Sequence, residues 1–231
     1  MDVLVVDIGG THVKLYSHGD EPARFDSGPG FKPEDLVERA KEHLDGWHYD
    51  VVSIGYPGRV GHKGPVAEPG NLGGGWVDFD FEKAFGAPTR IVNDAALQAL
   101  GAYKAARMLF LGFGTGLGSA LVADCTIVPL ELGCIPYRDK TLFEYVGKQG
   151  LDEFGEEAWL ATVNDVVRTL REAFAADECV LGGGNVERIK DLPPHCRRGG
   201  NDDAFTGGVR LWEEEVEHHD RPPSSVWRVV R

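Results

Sequence analysis

Residues 109–123, LFLGFGTGLGSALVA, join two apolar runs of strand length through a loop in which nearly every second residue is glycine, and residues 5–17, VVDIGGTHVKLYS, repeat that plan. A strand, a glycine turn and a second strand restrict the fold severely. The turn must return the chain on itself, and glycine supplies the backbone angles and close approach that side chains forbid. Two such units, one in each half, imply two similarly built halves, each with a phosphate-type turn at the end of its first strand.

The segments between them keep an α/β rhythm. KPEDLVERAKEHLDGW carries Leu36, Val37, Ala40 and Leu44 at helical spacing with Gly46 as a stop, and DVVSIGYPG follows as a buried strand. Pro57 to Gly75 is rich in Gly and Pro and is expected to be a loop region. TRIVNDAALQALGAYKAA gives a short strand and a helix that Asn93 or Asp94 would cap. GEEAWLATVNDVVRTLREAF places Trp159, Leu160, Val163, Val166, Val167, Leu170 and Phe174 on one helical face, and ECVLGGGN reads as a buried strand ending in three glycines. DDAFTGGVRLWEEEVEHH is expected to be a last helix, and the tail from Arg221 has no assignable structure.

At 231 residues and 42% hydrophobic, the chain can bury a substantial core. No apolar run reaches the roughly 18 residues of a spanning helix, and Met1-Asp2 leads straight into a strand with no signal-peptide pattern, so a cytoplasmic protein is expected. A net charge of −13 disfavours nucleic acid and anionic membranes as partners, and any anionic ligand must be held locally. The four cysteines have neither C-x-x-C nor zinc-ladder spacing and read as reduced, structural thiols.

Neither glycine turn fits the P-loop or the dinucleotide fingerprint. Alone, DIGGT reads equally well as a structural hairpin, while GFGTGLGS favours an anion. Together they are more specific: Asp7-Ile8-Gly9-Gly10-Thr11-x-x-Lys14 resembles the phosphate motif of the ROK sugar kinases, a family of the actin/hexokinase-type superfamily. GYPGRV (55–60), NLGGGW (71–76), VNDA (92–95), GFGTGLGSAL (112–121), ELG (131–133) and LGGGN (181–185) follow in that family's order. The length is closest to the family's polyphosphate glucokinase branch.

The resemblance implies an α/β fold of two RNase H-like domains around a central cleft, drawn here as residues 1–92, with the C-terminal helix as a candidate addition, and 93–231. It implies a hexose kinase that moves a phosphoryl group from ATP or polyphosphate to a sugar hydroxyl with Mg²⁺. Asp94 matches the catalytic base, a helix cap being its alternative role. Asn71, Asn93, Glu131 and Glu144 match sugar contacts, although Asn71 beside Gly70 would serve equally as a turn residue. Gly9, Gly10, Thr11 and Lys14, with Gly114, Thr115 and Gly116, would hold the donor phosphates. Asp7 would hold Mg²⁺ through water, and Gly182, Gly183 and Gly184 would lie near the nucleoside. Where the family has a histidine that touches sugar and ligates zinc, this chain has Cys134, and IPYRDKT replaces the zinc-binding stretch. No zinc site is expected, and the identity of the sugar is left open. A homodimer whose partners are a small-molecule sugar and a phosphoryl donor is expected. The rival reading is a catalytically weak sugar sensor without a DNA-binding domain.

Overall fold

The computed structural model describes residues 1–200, 202–213 and 228–229. The chain opens with β1 (Val3–Ile8), β2 (His12–Tyr16) and β3 (Ala23–Asp26), then α1 (Pro33–His43) and β4 (Val51–Tyr56). A two-residue ribbon, β5 (Val60–Gly61) and β6 (Gly64–Pro65), and a short helix, α2 (Phe81–Phe85), lead to β7 (Thr89–Asn93). The resulting sheet has the order β3-β2-β1-β4-β7, antiparallel through the hairpins and parallel from β1 to β7. β1 and β4 are buried along their whole length, as parallel strands covered on both faces must be.

After α3 (Asp94–Ala102) the plan repeats. β8 (Met108–Phe113), β9 (Leu117–Ala123) and β10 (Thr126–Leu130) form the second meander. A small ribbon, β11 (Pro136–Tyr137) and β12 (Lys140–Thr141), precedes α4 (Leu142–Val146), α5 (Lys148–Phe154) and the long α6 (Glu156–Ala173). β13 (Glu178–Gly182), β14 (Cys196–Arg198), α7 (Asp203–Arg210) and β15 (Arg228–Val229) complete the described chain. The second sheet runs β14-β13-β8-β9-β10-β15. Its first five strands, β10-β9-β8-β13-β14, match the first sheet strand for strand, so the repeat read from the two glycine turns extends to whole sheets.

Two helices lie between the sheets. α3 and α7 cross so closely that Gly101 and Gly207 have no room for a Cβ: each faces backbone of the other helix. Arg210 donates to Leu100 O and Tyr103 O, closing the carbonyl end of α3, and Ser53 Oγ on β4 donates to Gly208 O at 2.7 Å. The core around them draws Val3 and Val5 from the first sheet and Phe110, Ala120 and Val180 from the second. The outer faces are covered separately, by α1, α2 and Trp76 on the first sheet and by α4 and α6 on the second. The expected last helix ends at Arg210 within the described residues, and the rest of that segment, 214–219, lies outside them. Of the tail beyond Arg221, residues 228–229 add a parallel strand to β10.

Candidate active site

The carboxyl ends of β1, β4, β7, β8 and β13 all point to one side of the molecule, where ligands bind in open α/β sheets. At the end of β1, Asp7 is buried and paired in register with Lys14 on β2. The turn that follows is held by its own backbone and by Ser27. Gly9 N–H donates to His12 O at 2.9 Å, Ser27 Oγ donates to Gly9 O at 2.7 Å, and Ser27 N–H donates to Thr11 O at 2.9 Å. Gly10 cannot carry a side chain, because the Asn71 amide fills that space and Thr115 Oγ1 lies 3.3 Å from where a Cβ would be. The first turn, the Asn71 loop and the second glycine turn therefore meet at one point.

The start of α3 packs against Gly55 of β4, beside Asp7. Asn93 is the N-cap: its Oδ1 accepts from Ala95 N at 3.0 Å and Ala96 N at 3.2 Å, and its Nδ2 donates to Gly58 O at 3.1 Å. Asp94 is the first residue of the helix, and its Oδ1 accepts from Ala95 N at 2.8 Å. The cap is thus Asn93 rather than Asp94. Only Gly55 separates the two aspartates: a Cβ there would lie 3.2 Å from Asp7 Oδ1 and 3.4 Å from Asp94 Cα.

Burial of carboxyl groups dominates the electrostatics. Burial, then repulsion by Asp7 and Glu131, pushes the Asp94 carboxyl up to about 7, against the favourable Ala95 N–H. Burial likewise raises Asp7 to about 6, moderated by the Lys14 ammonium. Glu131 is raised by desolvation and drawn back by Arg59. Asp94 is partly buried and keeps contact with solvent, so a substrate group can reach it.

The second glycine turn is braced on all sides. Gly114 N–H donates to Gly116 O at 3.1 Å, and Lys148 N–H donates to the carbonyls of Gly114 (3.0 Å) and Thr115 (3.2 Å). Asn185 Nδ2 donates to Gly114 O at 3.2 Å and its N–H to Phe113 O at 2.9 Å, tying the Gly182 to Gly184 loop to the same turn. Gly183 has φ +83° and packs against the Phe113 backbone, so only glycine fits there. Asn185, Lys148 and Ser27 had no role in the sequence reading. Their contributions run through backbone contacts that only the fold creates.

Glu144 is engaged elsewhere. Its Oε2 accepts from Thr141 N (2.9 Å) and Thr141 Oγ1 (2.7 Å), a capping box at the start of α4 that holds the carboxyl below its usual range. Glu131 precedes and Cys134 ends a single 3₁₀ turn, Leu132–Cys134, and both are exposed. Beyond it, Tyr137 donates to Asp165, Tyr145 donates to Asp139, Arg138 stacks over both tyrosines, and Lys140 pairs with Glu153. Among the described residues, the one group of three metal-ligating side chains with converging atoms is Asp2, His48 and Asp50, on the surface at the opposite end of β1.

Two sheets of one strand order, with helices packed between them and a glycine turn from each meeting beside Asn71, form a fold shared with solved sugar kinases of the ROK family. The polyphosphate/ATP-glucomannokinase of Arthrobacter sp. strain KM superposes with a TM-score of 0.78 at 20% identity, covering 90% of this chain and 96% of the other. A ROK-family glucokinase from Streptomyces griseus, solved with glucose and AMPPNP, superposes with a TM-score of 0.68 at 15% identity, covering 91% and 99%. In sequence, the polyphosphate glucokinase of Mycobacterium tuberculosis is 27% identical over 154 residues, which are 60% of this chain. The matched part spans 57% of that relative's own length. No protein-family model matches the chain. The α/β fold class and the ROK resemblance read from the motifs are both borne out.

Proposed function

We propose that the chain is a hexose kinase of glucokinase type, transferring the terminal phosphoryl group of ATP or polyphosphate to a sugar hydroxyl. The observation that carries this reading is that Gly10, Asn71 and Thr115 meet at the turn after Asp7, whose carboxylate lies against Gly55 as the backbone of Asp94 does; this supports a donor cradle near a carboxyl raised to about 7. Asp94 accepts the hydroxyl proton as the sugar oxygen bonds to phosphorus and the donor's bridging oxygen departs. The backbone amides of residues 9–11 and 114–116, with Lys14, hold the donor phosphates. Asn71 and Glu131 orient the sugar. Asn93 is a positioning residue, since both ends of its amide are engaged by backbone. Glu144 acts by fixing α4 beside the second turn rather than through the sugar. The halves 1–92 and 93–231 are the units that would close on the substrate, with α7 riding on the first.

Mg²⁺ fits the donor set. Asp7 offers hard oxygen ligands with Asp94 as its neighbour, and no three acids converge there into a full protein cage, so the ion would be completed by water and donor phosphates. When bound, it would neutralise charge on the transferring group.

ATP should serve at least as well as polyphosphate. A long polyanion needs a basic track, yet Arg138 covers tyrosines, Lys140 pairs with Glu153 at 2.6 Å, and Lys104 and Arg107 follow α3 and precede β8, at the end of the sheet away from Asp94. The two relatives with polyphosphate in their names keep both donors in view. A cytoplasmic homodimer without nucleic-acid partners is the accompanying proposal. No described helix is long and apolar enough to cross a membrane. The test is sugar-dependent phosphoryl transfer across a panel of hexoses, with each donor, with and without Mg²⁺. Absence of turnover with every pair would refute the reading.

A further inference from the structure

Cys179 and Cys196 lie directly opposite one another on the adjacent parallel strands β13 and β14, so their side chains leave the same face of the sheet. Neighbouring strands are about 4.7–4.9 Å apart, inside the roughly 4.4–6.8 Å Cα separation a disulfide accepts. No disulfide joins them or any other pair of the four cysteines, and the Cys196 thiol donates to Pro194 O at 3.7 Å. Their exposures differ: Cys179 is fully buried in the core of the second sheet, whereas Cys196, on the edge strand, is only partly covered. Arg171, in the last turn of α6, brings a cation to both sulfurs.

We propose that this pair is an oxidisable dithiol, with Cys196 as the peroxide-reactive sulfur and Cys179 as the thiol that resolves it into a disulfide. In the first step the Cys196 thiolate attacks one oxygen of hydrogen peroxide. The S–O bond forms, the O–O bond breaks, and the departing hydroxide takes a proton to become water. In the second step the Cys179 sulfur attacks the Cys196 sulfur, the S–S bond forms, the S–O bond breaks, and water leaves with the Cys179 proton. Two thiols are oxidised and one peroxide is reduced to two waters.

The electrostatics agree with that division of labour. The neighbouring Cys179 thiol, and then the Arg171 cation, hold the Cys196 thiol below its usual range against the effect of burial. The Cys196 sulfur beside it, and then burial, push Cys179 up. The pair sits directly behind the donor side of the cleft: β13 runs from Cys179 into the Gly182 to Gly184 loop, and Gly199, just after β14, donates to Leu181 O at 2.9 Å. A bond between 179 and 196 would pin an edge strand that three residues of ladder now hold. The proposal does not depend on the kinase reading.

The test treats the folded chain with hydrogen peroxide at a few equivalents, then alkylates under denaturing conditions and maps the cysteines. The expected result is that Cys179 and Cys196 escape alkylation together, appear in one disulfide-linked peptide pair, and return to thiols with dithiothreitol, while intact mass falls by two hydrogens. Cys179→Ser should leave Cys196 as a sulfenic acid that a dimedone probe captures. Cys196→Ser, a change at the less buried position, should leave Cys179 reduced at the same dose, and it decides the question if the first variant does not fold. Cys179 and Cys196 both remaining alkylatable while Cys134 oxidises would overturn the proposal, as would oxidation of Cys179 in the Cys196→Ser variant.

Discussion

Replacing Asp94 by Asn separates chemistry from structure, because the cap of α3 belongs to Asn93 and survives the change. The amide keeps the size of the carboxyl but cannot take a proton from a hydroxyl, and loss of a general base costs about 10²–10⁴ in rate, so kcat should fall by that factor. Stability should move the other way. Asp94 is raised from 3.8 to about 7, so between those values the folded chain binds more protons than the unfolded one and wild-type stability falls as pH rises through that window. The shift of about 3 units bounds the penalty above pH 7 at about 4 kcal/mol. The Asn side chain forfeits the attraction of the carboxylate to the Ala95 amide and the helix start, which leaves an expected gain of about 1–3 kcal/mol at pH 8 and almost none at pH 4. Denaturant melts of wild type and variant, free of ligand, at both pH values measure this directly, and a coupled kinase assay at saturating sugar measures kcat. A variant that melts earlier at pH 8 while retaining full kcat would refute both the charge argument and the base assignment.

Glu131→Gln should raise KM for sugar by roughly tenfold to a hundredfold, the usual cost of a lost charged hydrogen bond of about 1.5–3 kcal/mol, and leave KM for the donor nearly unchanged; equal shifts in both would remove Glu131 from the sugar site. Asn93→Ala should cost about 1 kcal/mol or more in unfolding experiments, since it strips the cap and releases Gly58, with a smaller loss of kcat than Asp94→Asn; unchanged stability would mean the cap is dispensable. For the wild type, kcat/KM should climb as pH rises toward 7 and Asp94 loses its proton, and a rate flat from pH 5 to 8 would contradict the raised carboxyl. Chelation should abolish turnover and Mg²⁺ should restore it, while metal analysis should find no stoichiometric zinc; one zinc per chain would mean that the segment from Glu131 to Glu144 is misassigned.

The paired sheets were legible because their signals are local. A buried strand needs an apolar run, its turn needs glycine, and both features sit within fifteen residues of sequence in each half. α4 and α5 gave no such signal: helices of five and seven residues bury too little to impose a period, and they form because Lys148 and Gly147 close on the second turn. Glu144 carries a local signal beside the resemblance: Thr141-Leu142-Phe143-Glu144 has the S/T-x-x-E signature of a capping box, and that local rule describes where its Oε2 sits.

The acid cluster is illegible for a deeper reason. Asp7 lies near the end of a strand, Asp94 begins a helix, and Glu131 follows β10, each an ordinary place for a carboxylate in its own segment; only closure of the two sheets on α3 brings Asp7 and Glu131 to bear on Asp94. Folding alone gives no reason to keep such an arrangement, since burying like charges raises every pKa involved and weakens the folded state at neutral pH. Consistency between local and global preferences breaks down here, and it does so at the one place where a glycine turn from each sheet also converges. Conflicts of that kind are expected where a chain gives up stability for chemistry. The same conflict says what should relieve it: a cation beside Asp7, or a proton on Asp94, would lower the repulsion that Asp7 and Glu131 exert on Asp94.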